Sequence, residues 1–455
     1  MNIEEKIRQF EEYIFNRNQI LNEEYVQGDI YDRMRYYKTP AVSMAVINDY
    51  QIEWVKAYGT IANNTDEKVD ENTVFQAASI SKSVFALAVM RLVEQGIIDL
   101  DEDVNKYLTS WKVPSNGKWQ PKITLRQLLS HTAGVNVQGF DGYNIKDKIP
   151  NTVQILNGDF SANTDAIRVK YIPGLQFNYS GGGYTIAQQV VVDVLNKPFP
   201  QIINELIFEP LEMNYSTYER STIYKKSLKK ACGHNGGMID GGYCIHPEEA
   251  AAGLWTTPSD LAKLGIKLQQ ILNGESNDFI RKASLEEMIH SQSVEFMGLG
   301  FFLDGEGKTA SFSHNGTNTG YESRMFFYKQ DGKGLVVMIN SQEPGFIDEI
   351  NRAIAYVYNW PQFISSKSSF IDIQGIDSLT GKYISNNKVI NICNENEVLF
   401  IIPEGQMPIE LIKETEYSFF SRQVNICVEF TFNDSGHVNK LNINQNGQVS
   451  EFLRI

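Results

Sequence analysis

Hydrophobic and polar positions divide the chain into a strand-rich start, a largely helical middle and a strand-rich end. Residues 41–59 contain two β-rich runs around an Asn-Asp-Tyr turn, a pattern that predicts a hairpin. Helical patterns dominate from about residue 83 to 240, where Thr124 and Gln127 form a predicted capping box. Strands return at "ESRMFFYKQDGKGLVVMIN", with Asp-Gly in the turn. We therefore predict one α/β unit that a helical insert interrupts.

A separate all-β domain is predicted at the C-terminal end. The Ser-rich stretch "SSKSS" at 365–369 is typical of a linker. Beyond it, short alternating segments such as "KVINIC", "VLFII", "NICVEFTF" and "KLNINQ" recur with turns between them. We predict a first domain over residues 1–364 and a barrel-like domain over residues 370–455.

Helix termini are also encoded locally. In "TTPSDLAKLGIKLQQILNG", Thr257 suits the cap position and Pro258 the first turn. At the N-terminus, Ile7, Phe10 and Ile14 have the spacing of an amphipathic helix, and acidic residues stand where a secretory signal has basic ones. The longest apolar run near residue 84, "VFALAVM", is far shorter than the roughly 18 residues of a membrane span. The expected location is cytoplasmic.

Composition and charge narrow the class of protein. The 455 residues are 42% hydrophobic, enough for two or three domains with a large core. A formal net charge of -14 argues against nucleic-acid binding. The four cysteines lack C-x-x-C spacing, so we interpret them as buried thiols and not as a disulfide framework or a zinc site.

A first candidate for chemistry is "QAASISKSVF", which contains Ser79 and Lys82 just before an apolar helical run. The S-x-x-K pattern alone is not specific, because it also occurs at Ser115, Ser227 and Ser385. At a helix start, however, the spacing of three places Lys82 on the face of Ser79, and the first turn offers unpaired N–H groups to an oxyanion. Two alternatives remain open here: Ser79 is a helix cap, or it is a nucleophile.

Two further segments carry polar residues beside glycines. In "PGLQFNYSGGGYTIAQQ", Tyr179 and Ser180 precede three glycines that either admit a ligand or serve a tight turn. In "FSHNGTNTGYES", His314, Asn315 and Gly316 lie on a predicted edge strand. Taken alone, His314 is better explained by a structural role than by a catalytic one.

Together the three segments resemble the ordered motifs of the class C β-lactamase-like serine hydrolases, a family that includes penicillin-binding proteins, D-alanyl-D-alanine peptidases and carboxylesterases. The resemblance extends through "PAVSMAVIN", "ITLRQLLSHTAGV", "EAAAGLWTTPSDLAKL" and "GLGFFLDG", and covers roughly residues 35–360. It implies a β-lactamase/transpeptidase-like α/β (α+β) fold, with an antiparallel sheet flanked by helices and an all-helical subdomain. The C-terminal part resembles the lipocalin-like domain of some members.

The resemblance also implies roles for individual residues. Ser79 matches the acylated nucleophile, Lys82 its proton-shuttling partner and Tyr179 the tyrosine that helps protonate the leaving group. The backbone N–H groups of Ser79 and Thr317 match the oxyanion hole. Acyl transfer with this set requires no metal or other cofactor.

The chain departs from the family pattern at two places. Gly181 stands where many relatives have asparagine, so a side-chain amide that would contact the substrate is absent. His314, Asn315 and Gly316 stand where β-lactamases have Lys-Thr-Gly, so a fixed positive charge is absent. Both differences favour acyl-enzyme chemistry over efficient β-lactam hydrolysis.

Two more residues have alternative interpretations. Trp255 either lines the acyl pocket or packs between subdomains. His131, in "LLSHTAGV", is interpreted as closing the turn after a short helix.

The expected function is that of a serine hydrolase acting through an acyl-enzyme on small-molecule esters or amides, with weak activity on β-lactams. The runner-up is a D-alanyl-D-alanine-type peptidase or penicillin-binding protein acting on D-amino-acid peptides. A catalytically silent sensor on the same fold is the alternative of a different class. No nucleic-acid or membrane partner is expected, and the oligomeric state stays open.

Overall fold

In the computed structural model the chain forms two compact units. The first comprises Met1–Ile7 and Ile30–Ile347, and the second comprises Arg8–Asp29 and Asp348–Ile455. The described residues are 1–12, 20–21, 28–224, 228–276, 278–360, 368–369, 376–385, 388–395, 398–415, 417–421, 424, 426–433, 435–445 and 448–455.

A six-stranded sheet in which all neighbouring strands are antiparallel forms the centre of the first unit. In order across the sheet, its strands are Gln51–Gly59, Ala41–Asn48, Gly334–Ile339, Tyr321–Tyr328, Ser311–Asn318 and Phe302–Asp304. Two short two-stranded sheets also lie in this unit. They pair Phe75–Gln76 with Trp255–Thr256, and Tyr143–Asn144 with Cys244–Ile245.

Both predicted hairpins of the large sheet are confirmed. Asp49 and Tyr50 join the first two strands with φ angles of 52° and 59°, which is the left-handed backbone of a tight hairpin turn. Asp331 and Gly332, at φ 68° and 54°, lie in the second hairpin turn. In the second case the Asp-Gly pair suits the turn, because glycine and aspartate tolerate positive φ.

Helices occupy much of the remaining first unit. They are Ile30–Tyr36, Ile80–Glu94, Leu125–Leu129, Thr152–Asn157, Gly181–Leu195, Phe199–Ile203, Arg220–Tyr224, Glu249–Ala252, Pro258–Leu272 and Lys282–Met288. Short 3₁₀ turns span Val104–Lys106 and Gly307–Thr309, and a π-helical turn spans Asn204–Phe208. The division between the two units falls within the helices Ile3–Glu12 and Pro344–Tyr358.

Local rules correctly predicted several helix ends. Thr124 and Gln127 form the expected reciprocal capping box, and the Thr257 side chain accepts a hydrogen bond from the Asp260 N–H. In the N-terminal helix Ile7 and Phe10 are buried, whereas Ile14 lies outside the described residues.

The middle of the chain is less helical than predicted. Between residues 130 and 180 the only helix is Thr152–Asn157, and every residue of that stretch is described. Asparagine side chains bond the backbone there instead: Asn136 donates to the Ala166 carbonyl and Asn178 to the Val135 carbonyl. Such side-chain bonds compete with helix formation, which a pattern of apolar positions does not reveal.

The helix Ile80–Glu94 is buried nearly all round, including the polar residues Ser81, Lys82 and Ser83. A helix with apolar residues on every side is a core helix. The candidate residues Ser79 and Lys82 therefore lie at the start of a buried helix and not on an exposed helix face.

An antiparallel closed barrel of eight strands forms most of the second unit, as predicted for an all-β domain, and it is consistent with a lipocalin-like domain. The strands are Gly381–Ser385, Lys388–Glu395, Val398–Pro403, Ile409–Lys413, Ser418–Phe420, Cys427–Phe432, Val438–Gln445 and Gln448–Arg454. Tyr383, Phe419, Val428 and Leu441 are fully buried in its core. A 3₁₀ turn, Ile376–Leu379, precedes the first strand.

The predicted boundaries at residues 364 and 370 stay a prediction. Residues 365–367 of the predicted linker lie outside the described residues, and Ser368–Ser369 pairs in parallel with Ile20–Leu21.

The cysteines Cys232, Cys244, Cys393 and Cys427 are free, but they are half-buried and not fully buried as predicted. Cys232 lies in a loop, Cys244 and Cys427 begin strands, and Cys393 lies within the strand Lys388–Glu395.

Candidate active site

Ser79 lies at the start of the helix Ile80–Glu94 without capping it. Its side chain makes no cap hydrogen bond, and its backbone is already helical at φ -65° and ψ -10°. The preceding Ala78 has a φ of 48°, an uncommon conformation for a residue other than glycine. The interpretation of Ser79 as a helix cap is therefore wrong. Its partly exposed hydroxyl is left available for another partner.

That partner is Lys82, one helical turn later. Lys82 Nζ lies 2.9 Å from Ser79 Oγ and donates to the Ala251 carbonyl at 2.7 Å. Only 2% of the lysine surface is exposed, and burial lowers its pKa from 10.5 to about 7. A substantial fraction of Lys82 is therefore neutral at physiological pH, as a proton acceptor for a serine hydroxyl must be.

Tyr179 also bonds Ser79 and is partly exposed. Its ring centroid is 5.1 Å from Lys82 Nζ. Burial of the phenol raises the pKa of Tyr179 to about 12, although a hydrogen bond with Ser79 acts in the opposite direction. The phenol is consequently protonated at neutral pH and is suited to donate a proton.

His131 holds the segment around Tyr179 in three ways. Its carbonyl accepts the Asn178 N–H at 2.7 Å, and its Nδ1 accepts the Ser180 N–H at 3.0 Å. Its ring packs on the Tyr179 ring, with centroids 4.2 Å apart. Burial, and then the nearby charge of Lys82, lower the pKa of His131 well below 6.5. The predicted turn-closing role of His131 thus extends to fixing Tyr179.

Ser180 caps the helix Gly181–Leu195 through its hydroxyl, which accepts the Gly183 N–H at 2.9 Å. Gly181 and Gly182 begin this helix, and their N–H groups donate to the Gln138 and Val137 carbonyls. The glycines of the second segment therefore allow a loop to approach the helix start closely.

The third segment forms the strand Ser311–Asn318, called here the motif strand. Its pairing with Phe302–Asp304 ends at Ser313, so from His314 onward the described sheet pairs it only with Tyr321–Tyr328. A Cβ atom at Gly316 would lie 2.1 Å from the Ala77 carbonyl oxygen. Glycine there lets the strand backbone touch the turn that carries Ser79, which brings the Thr317 backbone near this turn.

His314 and Asn315 lie on opposite faces of the motif strand. His314 is buried, and desolvation with a further contribution from Lys82 lowers its pKa to about 3. It is thus neutral at pH 7 and offers no charge to a substrate carboxylate. Asn315 is exposed, and its Oδ1 accepts from Arg324 at 3.0 Å.

Trp255 contacts other aromatic rings. It packs edge-on against Tyr243 and Tyr321, at centroid distances of 5.2 Å and 5.9 Å, and only 6% of its surface is exposed. It also lines a cavity of about 30 Å³ together with Tyr218. These contacts favour the packing alternative for Trp255 over the acyl-pocket alternative.

The other S-x-x-K serines lack this surrounding. Ser115 lies in an exposed stretch without helix, and Ser385 ends a barrel strand. Ser227 lies outside the described residues.

Three residues near the site were missed by sequence reasoning. Asn318 donates to the Ala252 carbonyl at 3.1 Å and contacts His246 Nδ1 at 3.3 Å. Phe140 lies against Gly181, since a Cβ atom there would be 2.7 Å from its ring. Only Asn318 belonged to a segment already singled out, and no local pattern marked the other two.

The chain is similar over most of its length to one protein family and to individual known proteins. The Beta-lactamase family model matches residues 26–359. Penicillin-binding protein 4* of Bacillus subtilis is 24% identical over 398 residues, which is 80% of this chain and 84% of that protein.

Two solved structures have the same fold. The octameric penicillin-binding protein homologue from Pyrococcus abyssi superposes with a TM-score of 0.61 at 20% identity, over 93% of this chain and 98% of that one. The D-amino acid amidase from Ochrobactrum anthropi SV3 gives a TM-score of 0.58 at 20% identity, over 72% and 97%. The chain therefore belongs to the Beta-lactamase family, with a β-lactamase/transpeptidase-like fold, and this membership supports hydrolase activity in general.

Proposed function

We propose that the protein is a serine hydrolase that forms an acyl-enzyme at Ser79 with small esters or amides. The observation that carries the proposal is the 2.9 Å contact between Ser79 Oγ and a buried Lys82 whose pKa is lowered to about 7. A nucleophile and base within hydrogen-bond distance are what acyl transfer by a serine requires. A binding protein that had lost catalysis would have no use for a buried, neutral lysine there.

In acylation, neutral Lys82 accepts the hydroxyl proton as Ser79 Oγ attacks the substrate carbonyl carbon. The tetrahedral oxyanion is received by the backbone N–H groups of Ser79 and Thr317. The carbonyl then reforms as the bond to the leaving group breaks, and the Tyr179 phenol donates a proton to the departing oxygen or nitrogen. Lys82 returns its proton to Tyr179. Water then attacks the acyl-enzyme through the same proton transfers and releases the acid.

The pKa values assign the two proton carriers different tasks. With a pKa of about 12, Tyr179 is protonated at neutral pH and serves as acid, whereas Lys82 with a pKa of about 7 serves as base. The opposite assignment, a tyrosinate base, would require the Tyr179 pKa to fall below its ordinary value of 10.0.

The neutral site favours esters over β-lactams. β-Lactams carry a carboxylate, and His314 with a pKa of about 3 supplies no positive charge to bind it. Esters need no such anchor and have a better leaving group than amides. The second candidate is a D-amino-acid-directed amidase or peptidase, which the likeness in fold to D-amino acid amidase favours.

A fluorophosphonate adduct mapped by mass spectrometry tests the nucleophile. We expect label at Ser79 alone, a burst of nitrophenol from p-nitrophenyl butyrate, and loss of both in Ser79→Ala. Ser115→Ala is the matched control, since Ser115 shares the S-x-x-K spacing but lies in an exposed stretch. Label at Ser115, Ser227 or Ser385 instead of Ser79 would contradict the assignment, and label at Ser79 without turnover would favour the silent sensor.

A further inference from the structure

A loop over residues 136–141, called here the Phe140 loop, touches two of the three segments that form the site. At one end, the Gly181 N–H donates to the Gln138 carbonyl at 3.0 Å and Ser180 Oγ donates to the Asn136 carbonyl at 2.8 Å. At the other end, Thr319 Oγ1 donates to the Asp141 carbonyl at 3.2 Å. Thr319 directly follows the motif strand, so the loop connects the Tyr179 segment with the end of that strand.

The ring of Phe140 occupies the space beside Gly181. A Cβ atom on Gly181 would lie 2.7 Å from Phe140 Cε2, 3.1 Å from the Gln138 carbonyl oxygen and 3.3 Å from Phe140 Cδ2. Ser180 is extended, at φ -144° and ψ 114°, so positions 179 and 181 project towards the same side of the chain. Tyr179 bonds Ser79 on that side. The place of a side chain at position 181 is therefore taken by an aromatic ring.

The chain after Phe140 packs closely against His246, which other residues connect with Lys82. A Cβ atom on Gly142, whose φ is 78°, would lie 2.7 Å from His246 Nε2. His246 Nδ1 contacts Asn318, which donates to the Ala252 carbonyl, and the neighbouring Ala251 carbonyl accepts from Lys82. These contacts connect the Phe140 loop, through His246 and Asn318, with the segment that bonds Lys82.

The side chains around Tyr179 are mostly aromatic. Phe302 stacks with Tyr179 at 6.4 Å and meets His314 edge-on at 5.2 Å. Phe177 packs against His131 at 5.8 Å. Phe140, Phe177 and Phe302 are each partly exposed, so their rings are accessible to a bound molecule.

We propose that Phe140 determines specificity by forming an apolar wall of the acyl pocket, and that the enzyme selects acyl groups with a hydrocarbon or aromatic side chain. Acyl groups that carry an amide beside the carbonyl are disfavoured, because the ring offers them no hydrogen bond. The proposal rests on the acyl-enzyme function proposed above and names the substrate class of that site.

A series of p-nitrophenyl esters tests the proposal on the full-length chain. The acyl groups are acetyl, butyryl, phenylacetyl and N-acetylglycyl. We expect kcat/KM to be highest for phenylacetyl and butyryl, and Phe140→Ala to reduce their advantage over acetyl roughly tenfold, which is the scale of hydrophobic discrimination. Phe140→Leu should keep much of the advantage. Phe160→Ala, at a fully exposed phenylalanine, is the matched control and should change nothing.

A pair of variants tests the contact between Phe140 and position 181. Gly181→Asn alone should lose activity on every ester, because the new side chain meets the Phe140 ring. The double variant Phe140→Ala with Gly181→Asn should recover acetyl ester turnover and raise the N-acetylglycyl to butyryl ratio at least tenfold over the wild type. Additive losses without recovery would contradict the shared space.

The two proposals fail in different ways. If a fluorophosphonate does not label Ser79 in the wild type, the acyl-enzyme function is wrong. If it labels Ser79 in the wild type, Phe140→Ala and Phe140→Leu alike, yet the ester ratios are unchanged, only the role of Phe140 is overturned.

Discussion

Ser79 and Lys82 stand on one helical turn and Thr317 on a strand, whereas Tyr179 stands on an irregular segment that other residues hold in place. The helix with Ser79 and Lys82 and the strand with Thr317 form the regular side of the site. There, residue positions are set by repeating backbone geometry and by the close contact between Gly316 and Ala77. The segment around Tyr179 and the loops that contact it form the irregular side of the site. There, residue positions are set by single hydrogen bonds and ring contacts.

The backbone of the irregular side includes unusual conformations. His131 and Val137 have φ angles of 59° and 62°, which are uncommon for residues other than glycine and most so for a β-branched valine. Such conformations persist only where surrounding contacts impose them. Regular elements therefore fix the positions of Ser79, Lys82 and Thr317, whereas the irregular side depends on individual side-chain contacts, as loops that carry specificity commonly do.

The largest effect should come from the regular side, with Lys82→Met. Loss of the base should lower kcat/KM for p-nitrophenyl butyrate by roughly 10²–10⁴-fold. The same variant should be more stable, because burying a lysine with its pKa lowered from 10.5 to about 7 costs about 5 kcal/mol when it is charged. Turnover within tenfold of the wild type would show that another group is the base.

The stability gain should depend on pH with a definite sign. Between pH 7 and 10.5 the unfolded chain binds a proton at Lys82 that the folded chain does not, so wild-type stability rises with pH over this window. Lys82→Met should therefore raise Tm most below pH 7 and least near pH 10. Lys118→Met, at an exposed lysine, is the control and should leave both Tm and turnover unchanged.

Gly316→Ala should break the close contact on the regular side. A Cβ atom 2.1 Å from the Ala77 oxygen forces the motif strand away from the Ser79 turn. A displacement of about 1 Å costs on the order of 10²-fold in rate, and we expect a loss of this size in kcat/KM. Gly237→Ala, where an added Cβ meets no atom within 4 Å, should be silent. Wild-type rates in Gly316→Ala would show that the strand can shift without affecting the chemistry.

Sequence reasoning succeeded mainly where structure is local. The Thr124 capping box, the two hairpins and the helix after Ser79 follow from spacing within a few residues, and each is confirmed. The proximity of Ser79 and Lys82 follows from helical geometry alone.

The irregular side could not be predicted in this way. Phe140 meets Gly181, and His246 meets Asn318, through contacts between distant parts of the chain. Loops have no hydrophobic period to reveal which of their residues face a site. Burial of Lys82, which lowers its pKa, likewise depends on the Ala251 segment packing over it.

Turnover of nitrocefin, a β-lactam, tests whether the site lacks polar groups that would bind the substrate. We expect its kcat/KM to fall roughly ten- to a hundredfold below that of a short p-nitrophenyl ester, since one lost polar contact is worth about 1.5–3 kcal/mol. The ratio should be the same at pH 6 and pH 8, because His314 with a pKa of about 3 is neutral at both. A ratio that shifts towards nitrocefin at pH 6 would reveal a charged histidine and contradict this account.

The pH profile of ester turnover tests the assignment of the base. With a Lys82 pKa of about 7, the neutral fraction and hence kcat/KM should rise about tenfold from pH 6 to pH 8. Because kcat/KM is measured, the midpoint of the pH profile reports the pKa of Lys82 in the free enzyme. A profile that is flat over this range, or that rises only above pH 9, would exclude neutral Lys82 as the base.

The smallest effect should come from His131→Ala on the irregular side. This change removes the Nδ1 acceptor of the Ser180 N–H and the ring that packs on Tyr179. Loss of one neutral hydrogen bond is worth about 0.5–1.5 kcal/mol, so kcat should fall roughly two- to tenfold. KM should stay unchanged, because His131 is only 2% exposed and acts through its packing on Tyr179.

His131→Asn separates positioning from a general structural role. Asparagine tolerates the left-handed backbone at φ 59° and offers an oxygen that can accept the Ser180 N–H, so it should retain most of the kcat that alanine loses. His290→Ala, at an exposed histidine, should have no effect. Because the His131 pKa lies well below 6.5, neither variant should move the midpoint of the pH profile. If both variants shift that midpoint, His131 exchanges protons with Lys82, and the irregular side takes a direct part in the chemistry.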